Sequence, residues 1–172
     1  MASLFGHGIL AYTISKVANQ DSLRVLMVLA IVSSIFPDID VLAFNFGIPY
    51  EHMLGHRGFT HSITFALLWS LLLTMIFSKT KKIIFFSVLF LSTLSHGLLD
   101  AMTSGGKGVG FFIPFNAERY FFSFRGIKVS PIGIENFFSK WGASVLLSEL
   151  KYIVLPCVMV LIFVFLIKKY RK

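Results

Sequence analysis

HRGFTHSITFALLWSLLLTMIF, residues His56–Phe77, decides how the rest of the chain is read. Two imidazoles, a guanidinium and two hydroxyls come first, and a run without any ionisable group follows. In a bilayer, charged groups beside such a run are costly and turn toward a polar cavity or a partner. The same arrangement recurs along the chain. Asp38 and Asp40 interrupt the apolar stretch 23–44, His96 and Asp100 end the stretch 82–101, and His7 opens the stretch 4–18. The pattern predicts a polar, metal-binding site built into a membrane protein.

Composition agrees. The 172 residues are 56% hydrophobic and 14% charged, with mean hydropathy +0.80. A soluble domain sits near 45–50% apolar with about 25% charged residues. The chain reads as one membrane-embedded domain over residues 1–172. Its net charge of +8 suggests cytoplasmic anchoring and contact with anionic lipid, and does not require nucleic acid. The single cysteine, Cys157, excludes an intrachain disulfide, and its apolar surroundings argue against a thiolate nucleophile. There is no HExxH zincin motif and no GxSxG elbow. A metal-activated water is the nucleophile left with support.

A spanning helix needs about 20 mostly apolar residues. Stretches 149–168 and 82–101 qualify, and 61–78 nearly does. Pro37 predicts that the helix within 23–44 ends near Phe36, and 4–18 is short for a full span. The expected fold is an all-α polytopic membrane bundle of four to five membrane helices with a long outer loop over 102–148. Lys79, Lys81 and Lys82, and Lys168, Lys169, Arg171 and Lys172, mark cytoplasmic ends. With the N-terminus outside, every histidine and the candidate acids fall on the outer face of a cytoplasmic membrane.

His96 and Asp100 are four apart, so on a helix they share a face. Imidazole and carboxylate suit zinc and similar ions; a plain hydrogen-bonded pair is the simpler alternative. Asp38 and Asp40 flank Ile39, a spacing that lets one acid ligate while the other bridges a second ion or serves as general base. In HRGFTHS, Gly58 permits a turn, Thr60 or Ser62 can cap the next helix, and His56 and His61 can converge from loop and helix start. Arg57 suits a bidentate grip on phosphate. His7, between two glycines, is either a further ligand or a satisfied core residue. The glycine-rich Thr103–Gly110 loop is not a P-loop, yet its Lys107 can meet an anion. Arg119 and Arg125 lie among aromatic residues of the outer segment and suit a lipid interface.

Taken with their order, PDID, HRGFTHS and SHGLLDAMTSGG resemble the YdjM-like family of bacterial inner-membrane, metal-dependent hydrolases, and the likeness extends through NAERYFF and SPIGIENFFSKWGASVLLSEL. The resemblance implies a helical multi-span protein with metal ligands at Asp38, Asp40, His56, His61, His96 and Asp100, and with His7 as a further candidate. The expected activity is hydrolysis of a membrane lipid phosphoester using one or more divalent ions, with zinc the expected metal. Asp40 and Arg57 are the expected catalytic residues, and Arg57, Lys107 and Arg119 would meet the substrate's charge. The lipid membrane is then both environment and substrate source. A metal carrier or sensor without hydrolytic activity, and a purely structural bundle, are the rival expectations.

Overall fold

The computed structural model describes residues 1–18, 24–130 and 138–170. Helix α1 runs Leu4–Ala18, α2 Arg24–Ile35, α3 Ile63–Phe77, α4 Lys82–Ala101, α5 Lys140–Glu149 and α6 Leu155–Tyr170. Tighter 3-10 helices occupy Phe36–Phe46 and Phe59–His61, and a π-helical turn, Leu150–Val154, joins α5 to α6. Among the described residues there is no strand, only two isolated bridges, Thr103 with Ile127 and Val109 with Tyr120. The all-helical expectation holds. Glu135 of the SPIGIENFF stretch lies outside the described residues.

Helix α4 is the hub, packed against α1, α2 and α3. Leu26 and Ala30 of α2, Leu73 of α3, and Phe85, Val88 and Leu89 of α4 form a buried cluster. Alanine at 30 lets the α2 backbone approach closely, as small residues do between membrane helices. Trp69 of α3 stacks on Phe36 at 4.3 Å and donates its indole N–H to Ser33 Oγ at 3.1 Å.

The outer surface is apolar to a degree that water would not tolerate. On α6, Leu155, Met159, Phe163, Phe165 and Leu166 are all exposed, and only Cys157 is buried. Three helical runs are long and apolar enough to cross a membrane: Arg24–Phe46, Lys82–Ala101 and Lys140–Tyr170. Helix α3 is apolar but shorter.

Two boundaries differ from the sequence reading. Helix α2 stops at Ile35, as Pro37 demands, but the chain stays helical to Phe46 in 3-10 form. Gly47, at φ 72°, then closes that helix by donating its N–H to Ala43 and Phe44 carbonyls. The last helix begins at Lys140, where Ser139 caps it by accepting from Gly142 N–H, rather than at 149. Glu149 therefore sits inside a long helical run, and the outer segment is correspondingly shorter than 102–148.

Leu89→Ala should open a cavity where α2, α3 and α4 meet. Large-to-small changes of this kind cost about 2–5 kcal/mol in soluble cores. The lower part of that range is expected here, because lipid tails are as apolar as the leucine. Thermal unfolding in detergent, compared with wild type, measures it.

Candidate metal centre

The 3-10 helix following α2 explains how two acids so close in sequence reach one site. At three residues per turn, Asp38 and Asp40 diverge by about 120° rather than the roughly 160° of an α-helix. Ile39 between them points outward and is exposed. Asp38 meets His61 and His96, and Asp40 meets His56 and His61.

The HRGFTHS segment reaches the same point through an unusual backbone. Arg57 takes φ 61°, so the left-handed residue is the arginine and not Gly58, which has φ −90°. Gly58 is needed for a different reason: a Cβ there would lie 2.2 Å from the Met53 carbonyl oxygen. Of the two capping candidates, Ser62 caps α3 by accepting from Phe65 N–H at 3.0 Å. Thr60 instead donates to Asp40 Oδ2 at 2.8 Å.

Asp40 gathers four donors. His56 Nδ1 lies 2.7 Å from Oδ1; Arg57 N–H, Thr60 Oγ1 and His61 Nδ1 address Oδ2 at 3.0, 2.8 and 3.1 Å. A carboxylate only accepts, so the hydrogens of both rings sit on Nδ1. On the other side, His96 Nδ1 is 2.7 Å from the Ser34 carbonyl oxygen, which likewise assigns its hydrogen to Nδ1. In 3-10 register the donor to that carbonyl would be residue 37, and proline has no N–H. Pro37 thus leaves the Ser34 oxygen open to His96.

His61 Nε2 and His96 Nε2 face each other at 3.0 Å, and in the neutral Nδ1–H form each ring presents a lone pair there. Burial lowers the His61 pKa, so that ring is neutral near pH 7. Two lone pairs at this distance repel unless a proton on one ring or a metal ion lies between them. Asp38 Oδ1 is 3.3 Å from His96 Nε2 and 3.8 Å from His61 Nε2, and Asp100 Oδ2 is 3.8 Å from His61 Nε2. Both Asp38 oxygens and Asp100 Oδ2 are buried without a hydrogen-bond partner. The four ligand atoms of Asp38, His61, His96 and Asp100 all lie within 4.8 Å of one another. Two nitrogens bound tetrahedrally at 2.0–2.1 Å would sit about 3.3 Å apart, close to the observed spacing. The donor set fits a divalent ion.

Asp40, His56 and His61 form a second group of ligand spacing, sharing His61. His7 belongs to neither group. It stacks on His96 with ring centroids 3.9 Å apart, and its Nε2 is 3.6 Å from Asp100 Oδ1. His52 is exposed and accepts from Leu54 N–H at 3.1 Å, so it makes no ligand pair with buried His56.

The three cations expected to meet phosphate are occupied by protein partners. The Arg57 side chain is 1% exposed, its Nε 3.0 Å from Asp100 Oδ2. Its terminal nitrogens donate to the carbonyls of Gly105 and Asp100 and to Thr103 Oγ1 at 3.0, 3.4 and 3.1 Å. The glycine-rich loop cradles this guanidinium. Gly106, at φ 89°, passes so near that a Cβ would lie 2.5 Å from Arg57 Nη1. Arg119 donates to carbonyls of Tyr50, His52 and His56, and exposed Lys107 pairs with exposed Glu51.

Sequence reasoning overlooked the start of the chain. Ala2 N–H donates to Asp100 Oδ1 at 2.8 Å, and the Met1 amino nitrogen lies 3.8 Å from Oδ2. A helix cap placed just before His7 was the available signal.

Removing one partner of a buried ion pair costs about 3–5 kcal/mol, because the other charge is stranded. Arg57→Ala should therefore unfold at a markedly lower temperature than wild type in detergent. A variant that melts like wild type would mean that the Arg57–Asp100 pair does not hold the fold together.

The YdjM inner membrane protein family model matches residues 1–172. Inner membrane protein YbcI of Escherichia coli (strain K12) is 41% identical over 134 residues, covering 76% of this chain and 78% of the relative. No solved structure matches. The apolar helical runs and these relatives agree on the compartment: the chain belongs to the YdjM family of inner membrane proteins.

Proposed function

We propose that the protein is a divalent-metal-dependent hydrolase of the inner membrane, acting on a lipid phosphoester at the outer face, with zinc as the preferred ion. The carrying observation is the pair of Nε2 atoms of His61 and His96 that face each other at 3.0 Å beside Asp38 oxygens without a hydrogen-bond partner and the Asp100 Oδ2 that Arg57 pairs. His61, His96, Asp38 and Asp100 would hold the ion. Bound there, it would supply Lewis acidity and a water that is nucleophilic near neutral pH.

The remaining residues keep that ligand set in order. Asp40 fixes the ring of His61 and its Nδ1 hydrogen, the role a carboxylate plays behind a metal-binding histidine. It also stands where a proton leaving His61 Nδ1 would arrive, and His56 Nδ1 shares it at 2.7 Å. Arg57 offsets the charge of Asp100. A lipid substrate is supported by the exposed Ile39, Leu42 and Phe46 on the very 3-10 helix that carries the two acids. Such a substrate would approach sideways from the bilayer.

The outward orientation rests on lysines. Helices α3 and α4, 15 and 20 residues long, separate the Lys79–Lys82 connection from the cluster by about 20 Å. A basic connection of this kind stays cytoplasmic. A carrier would need polar ligands continuing to that end. Among the described residues, α3 and the part of α4 before His96 contain no histidine or acid.

Purified wild type should retain about one equivalent of zinc and hydrolyse a member of a panel of phospholipids and isoprenoid phosphates. His61→Ala combined with His96→Ala should abolish both. Elemental analysis and phosphate release measure them, and a double variant with unchanged metal and turnover would sink the proposal.

A further inference from the structure

Among the described residues, Glu149 is the one buried acid that the candidate metal centre does not use. It is 2% exposed and lies directly before the π-helical turn. π-turns are rare and concentrate at functional sites. Its two oxygens are both taken by one residue: Oε1 accepts from Ser3 N–H and Oε2 from Ser3 Oγ. Ser3 Oγ also accepts from Gly6 N–H at 3.3 Å, tying this clamp to the first turn of α1. Gly6 is pressed against the acid, since a Cβ there would lie 3.2 Å from Glu149 Cδ. The next residue back, Ala2, is 0% exposed and donates its N–H to Asp100 Oδ1 at 2.8 Å. The Met1 carbonyl accepts from Ser130 N–H at 2.8 Å, fixing the segment from its other side.

We infer that Glu149 is a positioning residue for the metal centre, acting through Ser3 and Ala2 on the Asp100 carboxylate. This rests on the metal reading above and names a residue that reading does not assign. Asp100 Oδ2 faces Arg57 Nε at 3.0 Å and the Met1 amino nitrogen at 3.8 Å, while Oδ1 accepts from the Ala2 amide at 2.8 Å and lies 3.6 Å from His7 Nε2. Without the Ser3 clamp, the segment keeps the Ser130 bond to the Met1 carbonyl but loses its tie to α5, and the Ala2 amide no longer holds the Asp100 carboxylate in one orientation. Glu149 thus fixes from another helix which lone pairs Asp100 turns toward His61 and Asp38. Partners behind a ligand typically change metal affinity 10- to 100-fold when removed.

Zinc affinity of the full-length protein in detergent, by competition with a chromophoric chelator, tests this. Glu149→Ala should bind zinc about 10- to 100-fold more weakly. Glu149→Gln should stay near wild type, because its carbonyl can accept from Ser3 N–H while Ser3 Oγ turns to accept from the amide. Ser3→Ala, which loses one of the two bonds, should fall between them. It also serves as the deciding variant should Glu149→Ala fail to fold. Wild-type affinity in Glu149→Ala, or in Ser3→Ala when it alone folds, overturns the inference and leaves the metal centre standing. A Gln variant as weak as the Ala variant overturns it too, by making charge rather than hydrogen bonding the requirement. Absence of zinc from wild type itself removes the metal reading, and this inference with it.

Discussion

Asp100 is a carboxylate with no access to water inside a bundle whose other surface is hydrocarbon, and much of the structure exists to make that tolerable. A stranded buried charge costs several kcal/mol. The compensation arrives from three directions: Arg57 from the loop before α3, the Ala2 amide from the chain start, and His7 from α1. Each contact pins a different element to the end of α4. The helices thus meet at this end because of polar demand, and farther along α4 because of small residues and interlocking apolar side chains.

Sharing that charge among protein groups has a limit. Arg57 neutralises one carboxylate, but Asp38 brings another whose oxygens receive no hydrogen bond, and two imidazoles turn their acceptor atoms inward. A polar network that is partly satisfied is worse for stability than an apolar core. Retaining one makes physical sense when a cation completes it.

Much of this was legible in residues. Five apolar stretches, the breaks at Pro37 and after Ser78, and the His96–Asp100 pairing followed from helix period and bilayer thickness alone. HRGFTHS was legible as a polar element because nothing else excuses an arginine and two histidines beside hydrocarbon. What could not be read was direction. The sequence marks Arg57 as an ideal phosphate fork, yet whether its nitrogens face substrate or Asp100 depends on a left-handed backbone at an arginine and on Gly106 passing beneath it. Glu149 stayed unassigned for a similar reason. Its partner, Ser3, is 146 positions away and looks like an ordinary helix cap. The helix from Lys140 was missed because KWGASVLLSE is only moderately apolar and its start is capped by a serine, not announced by hydrophobicity.

Proline is usually credited with stopping helices; at position 37 it also governs chemistry on a ring 59 positions away. By having no hydrogen to offer the Ser34 carbonyl, it makes that oxygen a permanent anchor for one edge of His96. A residue with an amide hydrogen would compete for the anchor, and the imidazole could then exchange tautomers, presenting N–H where it now presents an acceptor. The choice between holding a proton and holding a metal at this site is written partly into a backbone atom that is missing.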